Sequence, residues 1–249
     1  MDEHKTTGQQ LILNFPSRPE FSFSNFVISE GSRFAVDAIR QVCSGAPVPY
    51  HSLYLYGGKN LGKTHLEISA GNHIASHSPD KKVLYVSCDE FVRKIEKNDP
   101  AAHETLAKML EVDYFLLDDV EHISGHPVAQ EKLYLIYNTL TENGKKIIFT
   151  GNLPPSSLAA TENYLTSRLK WGMTAELKPI DDATTAKIIH KLGRDLELAI
   201  PENIIEYLLL RIPRDFISIK QSVAKINQES FVKKSKVTLS LAKKALDLH

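Results

Sequence analysis

The sequence feature that most constrains the fold is the run Gly57-Gly58-Lys59-Asn60-Leu61-Gly62-Lys63-Thr64, which matches the pattern G-x-x-x-x-G-K-[ST]. Glycines let the backbone N–H groups of such a loop wrap around phosphates without a Cβ in the way. The loop requires a strand before it and a helix after it, and a β-like run (52–56) and a helix-like run do flank it. The alternative is a glycine-rich turn with an incidental lysine.

The loop predicts a site for a purine nucleoside di- or triphosphate, ATP or ADP, together with Mg²⁺. Lys63 would neutralise the β- and γ-phosphates, and Thr64 would reach the metal ion. The positive end of the following helix would add to the attraction. The loop residues predicted to bind nucleotide are Gly57, Gly58, Asn60, Leu61, Gly62, Lys63, Thr64 and His65.

Two acidic residues end a later hydrophobic run, Tyr114-Phe115-Leu116-Leu117-Asp118-Asp119. We predict that Asp118 holds Mg²⁺ through its water shell and that Asp119 polarises the attacking water. At the end of the next run, Asn152 is placed to orient water or to sense the γ-phosphate. The alternatives are that the two aspartates end a strand and cap the next segment, and that Asn152 is a turn residue.

The order of β-rich and helix-length runs predicts an α/β fold with a parallel sheet. The predicted strands are 53–56, 83–87, 114–117, 146–150 and 174–177. The predicted helices are 32–43, 63–77, 90–97, 101–110, 130–143 and 155–169. After residue 180 the apolar residues recur only at helical spacing, which predicts a small all-helical unit. We therefore expect a tail over residues 1–20 without regular structure, an α/β domain over 21–179 and a helical domain over 180–249.

Charge and composition narrow the function classes. Thirty basic residues balance thirty acidic ones, so the net positive charge typical of sequence-independent duplex binding is absent. No apolar run approaches the length of a membrane span, and the N-terminus has no apolar signal region, so a cytoplasmic location is expected. The two cysteines, Cys43 and Cys88, are too few for a zinc site and are expected to be buried thiols.

Three motifs together resemble the AAA+ proteins of the DnaA/Hda family: Tyr56 to Leu66 around the loop, Phe115 to Val120, and Ser167-Arg168-Leu169-Lys170-Trp171-Gly172-Met173. The resemblance implies a five-stranded parallel sheet followed by a helical lid. It also places Val27 and Ile28 near the adenine pocket. The run 237–246 resembles the end of the AAA+ lid, so we expect no sequence-specific duplex DNA-binding domain. That layout is similar to the Hda branch, whose members regulate initiation negatively.

The resemblance also implies partners. Members of the Hda branch bind the DNA polymerase sliding clamp and stimulate ATP hydrolysis by DnaA. Gln10, Leu11, Leu13 and Phe15 resemble a clamp-binding peptide, and the alternative is a tail that packs on its own domain. Arg168 would act as an arginine finger in the nucleotide site of a neighbour, either DnaA or a second copy of this chain. The alternative is an arginine on the helix surface in a local salt bridge. Trp171 is predicted to be a packing anchor, and the alternative is a base-stacking platform.

One departure from the family pattern concerns the chain's own ATPase activity. The lid position where this group carries a phosphate-sensing arginine holds Ile217, and Arg214 lies about one helical turn earlier. We therefore expect weak or no hydrolysis by the chain itself, and ATP hydrolysis activated in a partner. Alternative functions are a helicase-loader-type ATPase and a DnaA paralogue that binds single-stranded DNA.

Overall fold

The structure is a computed structural model that describes residues 12–13, 15, 20–96 and 100–247. Its strands are β1 (Ile12–Leu13), β2 (Ser52–Tyr56), β3 (Val83–Ser87), β4 (Tyr114–Asp118), β5 (Lys146–Gly151) and β6 (Met173–Glu176). Its helices are α1 (Glu30–Cys43), α2 (Lys63–His77), α3 (Cys88–Glu96), α4 (Pro100–Leu110), α5 (Pro127–Glu142), α6 (Asn163–Trp171), α7 (Asp182–Asp195), α8 (Glu202–Leu209), α9 (Phe216–Lys233) and α10 (Leu239–Ala245).

The six strands form one sheet in the order β1-β3-β4-β5-β2-β6. Strands β2 to β6 run parallel, which confirms the predicted α/β fold with five parallel strands. Strand β1 forms one edge of the sheet and pairs antiparallel with β3, so the prediction that the N-terminal tail contains no regular element is wrong at Ile12–Leu13. The carboxyl ends of β4, β5 and β2 are neighbours, which places the residues that follow them at one edge of the sheet.

Two hydrophobic clusters cover the two faces of the sheet. Along β4, Phe115 and Leu117 pack into one cluster with α3, α5 and α6, while Tyr114 and Leu116 pack into the other with α1 and α2. Because successive strand residues point to opposite faces, a strand that is buried on both faces has a continuous run of apolar residues in its sequence. Both cysteines are buried free thiols, as predicted.

One predicted helix, 155–169, is wrong. The structure has a single 3₁₀ turn at Pro155–Ser157, and α6 begins only at Asn163. Between them Ala160 adopts a positive φ of 45°, which a helix cannot contain. The Ala160 carbonyl accepts hydrogen bonds from the Gly125 backbone N–H and from Gln130 Nε2, so distant residues fix this reversal of the chain.

The last four helices form the helical lid and enclose a third hydrophobic cluster, which includes Ile189, Ile205, Leu208 and Val223. Whether the chain divides into units at residues 20 and 179 stays a prediction. Among the described helices, none is both long and apolar enough to cross a membrane.

Candidate nucleotide-binding site

The phosphate loop connects β2 to α2 and depends on two glycines. Gly62 has a φ of 94°, and a Cβ there would lie 2.7 Å from Cε2 of Phe26. A Cβ at Gly57 would lie 2.2 Å from the Leu177 carbonyl oxygen. Helix α2 begins directly after Gly62 without a side-chain cap, so its first N–H groups remain available to an anion.

Lys63 occupies the centre of the loop. Its ammonium group donates to the carbonyl oxygens of Gly57 and Gly58 and to Oδ1 of Asn152, each at 2.9 Å. Burial lowers the pKa of Lys63, and the neighbouring carboxylates, led by Asp119, oppose that shift. All three partners accept hydrogen bonds, so the contacts fit the protonated ammonium form of Lys63.

Asp118 and Thr64 lie together, as a shared metal site requires. Thr64 Oγ1 donates to Oδ2 of Asp118 at 2.9 Å, and the Tyr85 hydroxyl donates to the same oxygen at 2.8 Å. Thr150 donates to the other oxygen, Oδ1. The residues fit Mg²⁺, which prefers oxygen ligands and takes only one or two from the protein when phosphates and water supply the rest. Across the described residues no cluster of three His, Cys, Asp or Glu side chains offers a separate metal site.

Asp119 lies beside this pair in a left-handed backbone conformation with a φ of 55°. Its backbone N–H donates to Thr150 Oγ1 at 3.0 Å. Burial raises the pKa of Asp119, as do the charges of Asp118 and Glu121. A carboxylate of raised pKa accepts a proton more readily, which suits the predicted role of polarising water.

Two carboxyl groups of the site are not among the residues predicted from the sequence. Glu67 on α2 is fully buried, and burial together with the nearby Asp118 charge raises its pKa well above the ordinary value. Its position three residues after Thr64, on the same face of the helix, is the signal that could have found it. Glu121, in the 3₁₀ turn after β4, binds Asn152 through the backbone N–H and the side-chain amide. No sequence pattern indicates that contact.

Four more of the predicted nucleotide-binding residues make contacts within the protein: the loop residues His65 and Leu61, and Val27 and Ile28, which are predicted to lie near adenine. His65 Nε2 lies 3.0 Å from the Ser22 carbonyl oxygen, and its ring packs between Phe21 and Phe26. Val27 packs against the lid cluster, whereas Ile28 packs against the sheet cluster. Leu61 is buried in the sheet cluster, so its side chain serves packing.

The lid reaches the loop through the start of α9. The Phe216 backbone N–H donates to the Asn60 carbonyl oxygen at 3.4 Å, and the next residue, Ile217, is 45% exposed. Arg214 does not replace the missing arginine. Its guanidinium contacts Asp182 Oδ1 and the Leu209 carbonyl oxygen, each at 2.5 Å, and both partners belong to the lid.

Arg168 lies on α6 and makes its contacts with α5 and with its own helix. Its Nε donates to Asn138 Oδ1 at 2.8 Å, and its guanidinium lies 4.6 Å from the Trp171 ring centroid and 5.5 Å from that of Tyr134. Trp171 is 70% exposed, so the prediction of a packing anchor is wrong. The next residue, Gly172, allows β6 to lie close to β2, because a Cβ there would lie 2.2 Å from the Ser52 carbonyl oxygen.

The N-terminal segment lies at the opposite edge of the sheet. Leu13 is the backbone partner of Tyr85, and the Phe15 ring packs so closely on α2 that a Cβ at Gly71 would lie 2.2 Å from it. Gln10 and Leu11 lie outside the described residues. The segment thus packs on its own domain here, which is the alternative that the sequence left open.

In this domain a helical lid touches the phosphate loop, and two neighbouring parallel strands are followed or ended by polar residues: β4 ends at Asp118, and Asn152 follows β5. This arrangement defines an AAA+ domain of the P-loop class. The family model for the bacterial DnaA ATPase domain matches residues 18–176. The chain therefore belongs to the DnaA ATPase family.

Individual relatives agree with this assignment. The chromosomal replication initiator DnaA of Symbiobacterium thermophilum is 29% identical over 232 residues, which are 92% of this chain and 50% of that protein. The chain thus spans about half the length of that relative. Domain III of Thermotoga maritima DnaA matches with a TM-score of 0.83 and 29% identity, over 93% of this chain and 98% of that one. A replication initiator DnaA bound to AMPPCP and single-stranded DNA matches with a TM-score of 0.77 and 25% identity, over 92% and 80%.

Proposed function

We propose that this chain is a regulator of replication initiation of the Hda type. It binds adenine nucleotide with Mg²⁺, attaches to the sliding clamp, and stimulates ATP hydrolysis by DnaA. The observation that carries the proposal is Arg168, stacked on the exposed Trp171 and engaged with no residue of its own phosphate loop. Arg168 is half-buried, so part of its side chain remains available to a neighbour's nucleotide.

Nucleotide binding is supported by the loop and by the DnaA relative that holds AMPPCP. The loop amides and the start of α2 bind the phosphates, while Lys63 exchanges its protein contacts for phosphate oxygens. Thr64 and Asp118 hold Mg²⁺, which supplies charge neutralisation between the phosphates when it is bound. Adenine lies beside Val27 and Ile28.

The chain's own hydrolysis is weak in this proposal. Asp119 is placed to orient water, yet the lid supplies Ile217 where a cation would contact the phosphates, and Arg214 is held by Asp182. In this site Lys63 is then the protein cation that stabilises the negative charge developing on a transferred phosphoryl group. The main effect of the bound nucleotide is therefore on the conformation of the domain, and not on hydrolysis by this chain.

Arg168 acts in trans. A guanidinium is planar and permanently charged, so it can stabilise charge on a phosphoryl group from a neighbouring molecule. Stacking on Trp171 keeps the side chain ordered at the surface before the neighbour arrives. The neighbour is DnaA in this proposal, and a second copy of this chain is the other candidate.

Clamp attachment uses Gln10, Leu11, Leu13 and Phe15. Leu13 and Phe15 would insert into an apolar pocket of the clamp while Gln10 hydrogen-bonds at its rim. Because Phe15 packs beside Gly71, the segment has to leave its own domain before it binds the clamp.

The test is to incubate the protein with DnaA–ATP, with and without DNA-loaded clamp, and to follow ADP formation. We expect hydrolysis above that of DnaA alone only when both this protein and the loaded clamp are present. Stimulation that is absent, or that does not need the clamp, contradicts the proposal.

A second candidate is a DnaA paralogue that binds single-stranded DNA, which the DNA-bound DnaA relative favours. It predicts nucleotide-dependent binding to single-stranded DNA that weakens steeply with salt and does not need the clamp. A helicase-loader-type ATPase would instead show hydrolysis by the chain alone.

A further inference from the structure

Glu121 binds Asn152 with both carboxylate oxygens. Oε2 accepts a hydrogen bond from the Asn152 backbone N–H at 3.2 Å, and Oε1 accepts one from Nδ2 of its side chain. Glu121 comes from the turn after β4, whereas Asn152 follows β5. The two contacts fix the main chain and the side chain of Asn152 together.

The contacts also fix which way the Asn152 amide faces. A carboxylate only accepts hydrogen bonds, so Nδ2 must face Glu121. An ammonium group only donates, so Oδ1 must face Lys63, whose Nζ lies 2.9 Å away. With the Gly57 and Gly58 carbonyl oxygens as its other acceptors, Lys63 uses all three of its N–H donors within the protein.

Gly151 provides the space for this arrangement. A Cβ at Gly151 would lie 2.3 Å from the Tyr54 hydroxyl oxygen and 3.2 Å from Oε2 of Glu121. The Tyr54 hydroxyl in turn donates to the Leu153 carbonyl oxygen at 3.2 Å. The backbone on both sides of Asn152 is therefore held, and the amide cannot turn without breaking its contacts with Glu121.

We propose that Glu121 is a specificity-determining residue that disfavours a third phosphate relative to a second one. It presents the carbonyl oxygen of Asn152, rather than its NH₂ group, to the ammonium group that the phosphates must reach. A terminal phosphate needs donors and carries extra negative charge, yet here it meets an acceptor backed by a carboxylate. The inference rests on the proposed nucleotide binding and assigns its selectivity.

The test measures the Kd of ADP and of AMPPCP by calorimetry, with Mg²⁺ present, for the wild type, Glu121→Gln and Glu121→Ala. We expect the ratio of the AMPPCP Kd to the ADP Kd to fall about tenfold in both variants, the size of one charge-assisted hydrogen bond. Glu142→Gln is the matched control, because Glu142 is an exposed residue at the end of α5 and loses the same charge. Its ratio should equal that of the wild type.

A double-mutant cycle separates selectivity from folding. In an Asn152→Ala background, Glu121→Gln should change the ratio much less than it does in the wild type, because the amide that Glu121 orients is gone and only the carboxylate charge is removed. A ratio that stays at the wild-type value in both Glu121 variants overturns the inference and leaves nucleotide binding intact. Equal weakening of both nucleotides also overturns it, because Glu121 would then support folding only. A wild type that binds neither nucleotide refutes the proposed function itself.

Discussion

Ile217→Arg should give the lid the cation that it lacks. Residue 217 lies in the first turn of α9, next to Phe216, whose backbone N–H contacts Asn60 of the phosphate loop at 3.4 Å. An arginine side chain is long enough to reach phosphate groups from this position. Arg214 cannot already fill the role, because Asp182 and the Leu209 carbonyl oxygen hold it.

The size of the effect follows from the number and exposure of the new contacts. One hydrogen bond to a charged group contributes about 1.5–3 kcal/mol. Ile217 is 45% exposed, so solvent screening weakens the contact. We expect a net gain of about 1–2 kcal/mol, or roughly a five- to thirtyfold lower Kd for AMPPCP.

The assay is calorimetric titration with AMPPCP and Mg²⁺, with Ile217→Met as the control of similar length without charge. The arginine variant should bind AMPPCP more tightly than both the wild type and Ile217→Met, and its affinity should fall as salt is added. If the arginine and methionine variants bind equally well, the start of α9 does not face the phosphates and the reasoning about the lid is refuted.

Three further changes test the packing of the loop, the buried acid and the N-terminal segment. Gly62→Ala should lower the free energy of unfolding by about 1–3 kcal/mol in urea melts because of its positive φ. Gly58→Ala should have little effect, because a Cβ there would make only an ordinary contact with Leu61 Cδ1 at 3.7 Å. Glu67→Gln should become more stable relative to the wild type as pH rises above about 4.5, by up to about 1.4 kcal/mol per pH unit. The reason is that the folded wild type keeps a proton on Glu67 that the unfolded chain releases. Equal pH dependence of the two proteins in urea melts with EDTA would contradict this. Gly71→Ala should displace the Phe15 ring and speed chymotryptic cleavage after Leu13, and unchanged cleavage would show that the ring does not hold the segment.

The core of the fold could be predicted because its signals are local. The five parallel strands are apolar runs and their predicted bounds lie within a residue or so of the observed ones, since strands buried on both faces tolerate few polar residues. Strand β1 could not be predicted, because a two-residue edge strand depends on its partner β3. The helix predicted over 155–169 failed because contacts with Gly125 and Gln130 hold Ala160 in a left-handed conformation.

Residues of the candidate site could be predicted where a short sequence motif specifies their chemical role. The phosphate-loop pattern and the acidic end of the hydrophobic run are enough to predict that Thr64 and Asp118 share one site. Glu121 could not be found in this way, because its contact with Asn152 joins two turns 31 residues apart and depends on the order of β4 and β5 in the sheet. The exposure of Trp171 also depends on tertiary structure, because α6 packs on the core through Leu165 and Leu169 and leaves Trp171 outside it.

The measurement that tests the central claim most directly is ATP hydrolysis by DnaA in the presence of DNA-loaded clamp and the Arg168→Ala variant. Lys170→Ala is the matched control, because Lys170 is an exposed cation of the same helix. We expect Arg168→Ala to bind nucleotide like the wild type and to lose stimulation by at least about 10³-fold or to background, the loss typical of an arginine finger, while Lys170→Ala stimulates normally. Undiminished stimulation by Arg168→Ala would contradict the claim that this chain acts on a partner's ATP through Arg168.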